Sequence, residues 1–238
     1  MAKQMLAAVV VLSACGTVMA LSPMGPPTAS LEQGQFSLGG NYFYSEMDLD
    51  VDVLGTLDDA EVQFIGTTLS YGISEAWEVF VRLGVTDIEF EDWDSGSEFA
   101  YGFGTKVTFL EGDVVDWGVL FEMNWFEGED DGTFLLDTYT VSDPDIDGYE
   151  MQIAVGPTYK GDGMRVYGGP FLHFVDADLD FTVVSPALGG VSLDVEEESV
   201  FGGFVGTEFD IAENALFNIE GAFTADAWGV GFAVAWRF

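Results

Sequence analysis

One histidine stands in this chain of 238 residues, inside the run Phe171-Leu172-His173-Phe174-Val175. An imidazole beside a hydroxyl or carboxylate acts as a general base or activates a nucleophile. No Ser or Asp lies close to His173 in the register that such chemistry needs. The simpler expectation is a histidine hydrogen-bonded in a structural wall. A second set is Glu78, Glu122, Glu150, Glu208 and Glu220 with Arg82. Enclosed together, ionised groups must pair or sit in water. They form either a salt-bridge network with Arg82 at its hub or an acid-rich pore lining. The third is Asp143-Pro144-Asp145-Ile146-Asp147-Gly148, which spells the start of a calcium loop. An EF-hand is excluded, because its twelfth position is Ala154 and not Glu. Glu150 would serve a smaller, irregular site, and Asp176, Asp178, Asp180, Glu196, Glu197 and Glu198 add oxygen donors further on. Hard carboxylates without basic competitors suit Ca²⁺ or Mg²⁺. The alternative is a solvated acidic surface.

The charge balance narrows the partners. With 42 acidic and 6 basic residues, the formal net charge is −36. Phosphate contacts need a basic surface, so nucleic-acid binding is excluded. Cations are the natural counterparts.

The elements that must position these residues are strands. Trp228, Val230, Phe232, Val234, Trp236 and Phe238 share one face of the last segment; Gly229, Gly231, Ala233, Ala235 and Arg237 share the other. Alternation of this length means a strand between two environments. Aromatics near both ends of one face suit the two membrane interfaces, and a small opposite face suits a narrow lumen. The pattern recurs from Gln35 onward and predicts ten strands: 35–48, 60–71, 77–86, 97–109, 117–126, 148–159, 164–175, 199–210, 216–223 and 228–238. Eight strands is the alternative. On this reading Glu78, Arg82, Glu122, Glu150, His173, Glu208 and Glu220 face inward. Connections alternate short and long, as periplasmic turns and outer loops do in an even-stranded barrel. The outer connections hold 25 of the 42 acidic residues and none of the basic ones. The expectation is an all-β chain forming a single antiparallel transmembrane β-barrel over residues 35–238. A soluble barrel is disfavoured, because water-facing positions usually carry charge and the face opposite the aromatics is mostly Gly, Ala, Thr and Ser.

The N-terminus reads as an export signal. Lys3 precedes a short apolar core, Met5 to Leu12, and Val18-Met19-Ala20 fits a cleavage point after Ala20. A rival reading treats Leu12-Ser13-Ala14-Cys15 as a lipobox with Cys15 lipidated. Residues 21–34 contain Pro23, Pro26 and Pro27 and no periodicity, and are expected to form a flexible lead-in on the periplasmic side.

The terminal run, with apolar Phe232, Val234 and Trp236 and a final Phe238, resembles the assembly signal of small outer-membrane β-barrel proteins of Gram-negative-type bacteria. That resemblance implies the bacterial outer membrane, recognition by the barrel-assembly machinery, and contact with outer-membrane lipids and lipopolysaccharide. Some such barrels are enzymes. Omptin proteases use acidic pairs with a His, and lipid A deacylases a His and a nearby Ser; the residues around His173 depart from both. The expected role is therefore structural or surface-interacting, without catalysis, with acidic loops that bind divalent cations. A narrow cation-favouring channel is the alternative, and a barrel enzyme acting on lipid or peptide the third.

Overall fold

The computed structural model describes residues 21–51, 55–90, 93–129, 133–136, 139–185, 189–197 and 200–238. The expected signal, 1–20 with Cys15, lies outside them. All regular structure among them is β: β1 (Phe36–Val51), β2 (Gly55–Ser74), β3 (Trp77–Phe90), β4 (Trp93–Leu110), β5 (Val115–Glu129), β6 (Thr133–Leu136), β7 (Tyr139–Gly161), β8 (Met164–Ser185), β9 (Gly189–Glu197), β10 (Phe201–Ala212), β11 (Ala215–Phe223) and β12 (Ala227–Arg237).

The sheet is antiparallel throughout and closes on itself, with β12 paired to β1 from Ser37↔Arg237 to Met47↔Ala227. Closure leaves no sheet edge in the spanning region, which a lipid environment requires. Ten strands make the wall. β6 extends the line of β5 along β7, and β9 extends that of β10 along β8. The β11–β12 hairpin is short; Thr224 N donates to the Ala227 carbonyl at 2.9 Å. Above this hairpin β9 meets β1 directly, Val195–Glu197 against Leu49–Val51. The wall therefore runs on past the ten-stranded circuit as a narrower extension.

Polarity inverts between the two zones. On β3, Trp77, Val81, Leu83 and Val85 are exposed on the outside while Glu78, Phe80, Arg82 and Thr86 are buried inside. On β7 and β8 further out, Ile146, Leu179, Phe181 and Val183 point inward and are buried, while Asp145, Asp147, Asp178 and Asp180 are exposed. Lipid bathes the first zone and water the second. The boundary carries aromatics: Tyr44 and Trp228 both donate to Glu46, at 2.6 and 2.9 Å, and Tyr101 stacks on Trp125 at 5.4 Å. Between Trp228 and Trp236 the wall climbs roughly 20 Å at the usual strand tilt, close to the height of an outer-membrane apolar band.

Two expectations change. The segments 127–147 and 176–198, expected as loops, are largely strand among the described residues. Residues 145–147 and 176–183 alternate too, but with acid outside and apolar residues inside, so a search for aromatic-out alternation stops at the membrane boundary. Residues 21–34, expected as a flexible periplasmic lead-in, instead thread the lumen. Leu21, Met24 and Leu31 are 2–3 % exposed. The chain reaches β1 through Gly34, whose φ of +82° is a conformation that glycine adopts at no cost. Its amide donates to the Gly72 carbonyl at 2.8 Å, fixing the segment at the periplasmic mouth.

Candidate functional site

Strand alternation sends one set of polar side chains into the lumen. Glu78 and Arg82 come from β3, Glu122 from β5, Glu150 and Gln152 from β7, Tyr167 and His173 from β8, Glu208 from β10, and Asn218 and Glu220 from β11; each is 8 % exposed or less. They do not form one cluster around Arg82. The N-terminal segment runs among them and bonds to Glu78, Arg82, Glu150, Gln152 and Glu220.

Glu220 accepts from the amides of Met24 and Gly25 at 2.7 and 2.8 Å, and from the Tyr167 hydroxyl at 2.8 Å. Asn218 in turn donates to that hydroxyl at 2.6 Å. Glu78 accepts from the Ser30 amide at 2.9 Å and the Ser30 hydroxyl at 3.1 Å. Glu150 accepts from the Ser22 hydroxyl, and from Asn124 at 2.6 Å. Gln152 donates to the Ser22 carbonyl at 3.3 Å, and Ala29 N donates to the Thr108 hydroxyl at 3.0 Å. Arg82 donates to the Pro23 carbonyl at 2.8 Å and lies 3.5 Å from Glu122. At the mouth, Glu208 pairs with Arg165, and with Arg237 at 3.3 Å.

The segment's prolines suit this enclosure. Every backbone N–H in a closed lumen needs an acceptor. Pro23, Pro26 and Pro27 carry none, which leaves few donors to satisfy. The wall makes room in return. A Cβ on Gly231 would fall 2.0 Å from Pro23 Cγ, and one on Gly118 2.3 Å from the Pro27 carbonyl oxygen. Beside the segment a cavity of about 120 Å³ remains, lined in part by Arg82, Lys106, Glu78 and Asn218. It has room for several waters. Further out, Phe43, Val62, Phe64, Ile88, Phe126 and Leu179 form an apolar layer, each 6 % exposed or less, with Phe43 stacked on Phe64 at 4.9 Å.

The remaining sequence candidates separate. His173 has no exposed surface; the acid beside it is Glu150, 3.4 Å away. That carboxylate accepts from the Ser22 hydroxyl through Oε1 and faces His173 Nε2 through Oε2. Asp143, Asp145 and Asp147 lie exposed on the outer wall, whereas Glu150 faces the lumen, so the four do not converge. Among the described residues, no three His, Cys, Asp or Glu side chains gather as a metal site. The acids form ladders instead: Asp145 opposes both Glu129 and Asp180, and Asp147 opposes Glu127 and Asp178. Partial burial, and then Glu129, Asp147 and Asp180, hold the Asp145 carboxyl above the usual aspartate range. Phe232 and Trp236 face outward, and Phe238 is 71 % exposed. Lys106, Gln152, Tyr167 and Asn218 also face the lumen; the sequence candidates there are the carboxylates, Arg82 and His173.

A closed antiparallel barrel with an apolar exterior, aromatic boundary and internally satisfied backbone is an integral β-barrel protein of the bacterial outer membrane. No protein-family model and no curated protein matches the chain in sequence. Solved structures similar to it are outer-membrane proteins. The protease OmpT from Escherichia coli is 10 % identical over 86 % of this chain and 96 % of its own, with a TM-score of 0.43. The translocator domain of the autotransporter NalP from Neisseria meningitidis is 10 % identical over 86 % and 88 %, at 0.49. An outer-membrane channel from Pseudomonas putida F1 is 8 % identical over 92 % and 100 %, at 0.48.

Proposed function

We propose that this barrel is a sealed, non-enzymatic element of the outer membrane that presents a tall acidic wall to the cell exterior. Its role is structural and surface-interacting. Its partners are outer-membrane lipids and lipopolysaccharide, with the barrel-assembly machinery engaged during insertion. Divalent cations associate along the acidic ladders and bridge them to anionic lipid phosphates.

The observation that carries this reading is the double filling of the lumen. The segment 21–34 occupies the polar zone, and Phe43, Phe64 and Phe126 occupy the zone above it. A hydrated ion path needs both to move. A narrow cation-favouring channel is the competing reading, and ion flux separates the two. Purified barrel in liposomes loaded with K⁺ should leak no faster than empty liposomes. Steady K⁺ release that scales with protein content overturns the sealed reading.

A further inference from the structure

We infer that the chain is cut between Ala20 and Leu21, and that the α-amino group so released serves as a structural cation inside the barrel. Hydrolysis of that amide consumes one water; the carboxyl stays on Ala20 and the amine on Leu21.

Position is the first argument. Leu21 is 2 % exposed. A Cβ on Gly229 would meet its carbonyl oxygen at 3.2 Å, and the next residue, Ser22, reaches Glu150. Leu21 thus sits at the level of Ser45 and Val62, one inward-facing pair further out than Phe43 and Gly231. A chain continuing outward from it would have to pass Ile146, Leu179, Phe181 and Val183, which are buried inside the extension. A chain doubling back would share the lumen with its own continuation past Pro23 to Pro26, where the cavity beside them holds about 120 Å³. That space accommodates several waters, not a strand.

The same geometry bears on Cys15. Six residues span at most about 20 Å when fully extended. From Gly229 to Arg237, β12 descends roughly the same distance to the mouth. A lipid on Cys15 would have no length left to round the rim into the bilayer.

Charge is the independent argument. Below the apolar layer the wall turns five carboxylates inward, Glu78, Glu122, Glu150, Glu208 and Glu220. The Arg and Lys side chains among them are Arg82, Lys106, Arg165 and Arg237. One carboxylate is left over, and an uncompensated buried charge is expensive. One ammonium at Leu21, a residue away from Glu150's partner Ser22, closes the balance.

Protein extracted from outer membranes tests this in three readings. Its intact mass and N-terminal sequence should show a chain starting at Leu21 without acyl groups. In the folded barrel an amine-reactive reagent should modify Lys160, whose side chain is 40 % exposed, while the α-amine reacts roughly 100-fold more slowly until the barrel unfolds. Finally, the unfolded chain can be acetylated at a pH below the α-amino value of about 8, where lysines stay protonated. The refolded, acetylated barrel should melt lower than the free amine, and Glu150→Gln should recover most of that loss. Acylated Cys15, another N-terminus, an α-amine as reactive as Lys160, or a loss that Glu150→Gln leaves unchanged each overturns the inference.

Discussion

The backbone amide of Met24 donates to Oε1 of Glu220 at 2.7 Å, although the two residues lie near opposite ends of the chain. Gly25 takes the other carboxylate oxygen at 2.8 Å. One buried side chain therefore anchors the centre of the lumen segment. Hydrogen bonds to a charged acceptor contribute more than neutral ones, and stranded buried donors are costly. Glu220→Ala should destabilise the barrel by about 3 kcal/mol, and Glu220→Gln by about 1 kcal/mol. Denaturant titration in detergent measures both. Equal, negligible losses would mean that the anchor is energetically idle.

Space can be tested separately from hydrogen bonding. Gly231→Ala places a methyl 2.0 Å from Pro23 Cγ, whereas Gly221→Ala meets nothing nearer than 3.8 Å. The first should cost about 1–3 kcal/mol and the second should be tolerated. Pro23→Ala in the same chain should recover part of the first loss, because the clashing Cγ is gone. Additive losses in the double variant would place Pro23 elsewhere.

The outer wall should respond to pH. Asp145 has a folded-state value raised above the ordinary 3.8. A raised carboxylate favours the protonated folded state, so its stabilisation is full below 3.8 and is lost as pH rises through the higher folded value. Acidification from neutral pH should therefore increase the protease resistance of the β7–β8 extension, and Asp145→Asn should flatten that dependence. Resistance that falls on acidification contradicts the assigned repulsion.

Divalent cations should act on the same ladders. Paired carboxylates without a third ligand imply weak association, in the region of 10⁻³ M at best. Ca²⁺ should protect the extension beyond Na⁺ of equal ionic strength. Replacing Asp143, Asp145 and Asp147 with Asn should reduce the excess. Identical protection by the two salts leaves only diffuse screening.

Phe238 separates assembly from stability. Its side chain is largely exposed, while its backbone closes the barrel through Phe238 N to the Phe36 carbonyl at 2.8 Å. Phe238→Asp keeps that backbone pairing. It should change the refolding midpoint little yet sharply lower the folded barrel recovered from cells. Normal recovery in cells would remove the assembly role.

Alternation made the spanning strands legible. Trp228 to Phe238 and Trp77 to Thr86 already sorted into lipid and lumen faces, and Glu78, Arg82 and Glu220 fell on the inner one. The extension was harder to read, because Asp145 to Gly148 and Asp176 to Val183 alternate with inverted polarity, the acids facing water. The lumen segment was least legible. Residues 21–34 have no period, since each contact is made to a different strand. The signal lay in the partner surface: an inner face of Gly229, Gly231, Ala233 and Ala235 is smaller than ten strands need for side chains to meet across the axis. The calcium-like Asp143–Gly148 run lies on a strand, where Asp143, Asp145 and Asp147 point outward, away from Glu150.

Amide hydrogen exchange over residues 21–34 in the native barrel tests the filled lumen most directly. The amides of Met24, Gly25, Ala29 and Ser30 all donate to wall side chains. They should exchange as slowly as the amides of the neighbouring strands, opening only with the barrel. Exchange at the rate of an unstructured peptide, beside a protected wall, would show the segment outside the lumen and contradict the sealed barrel.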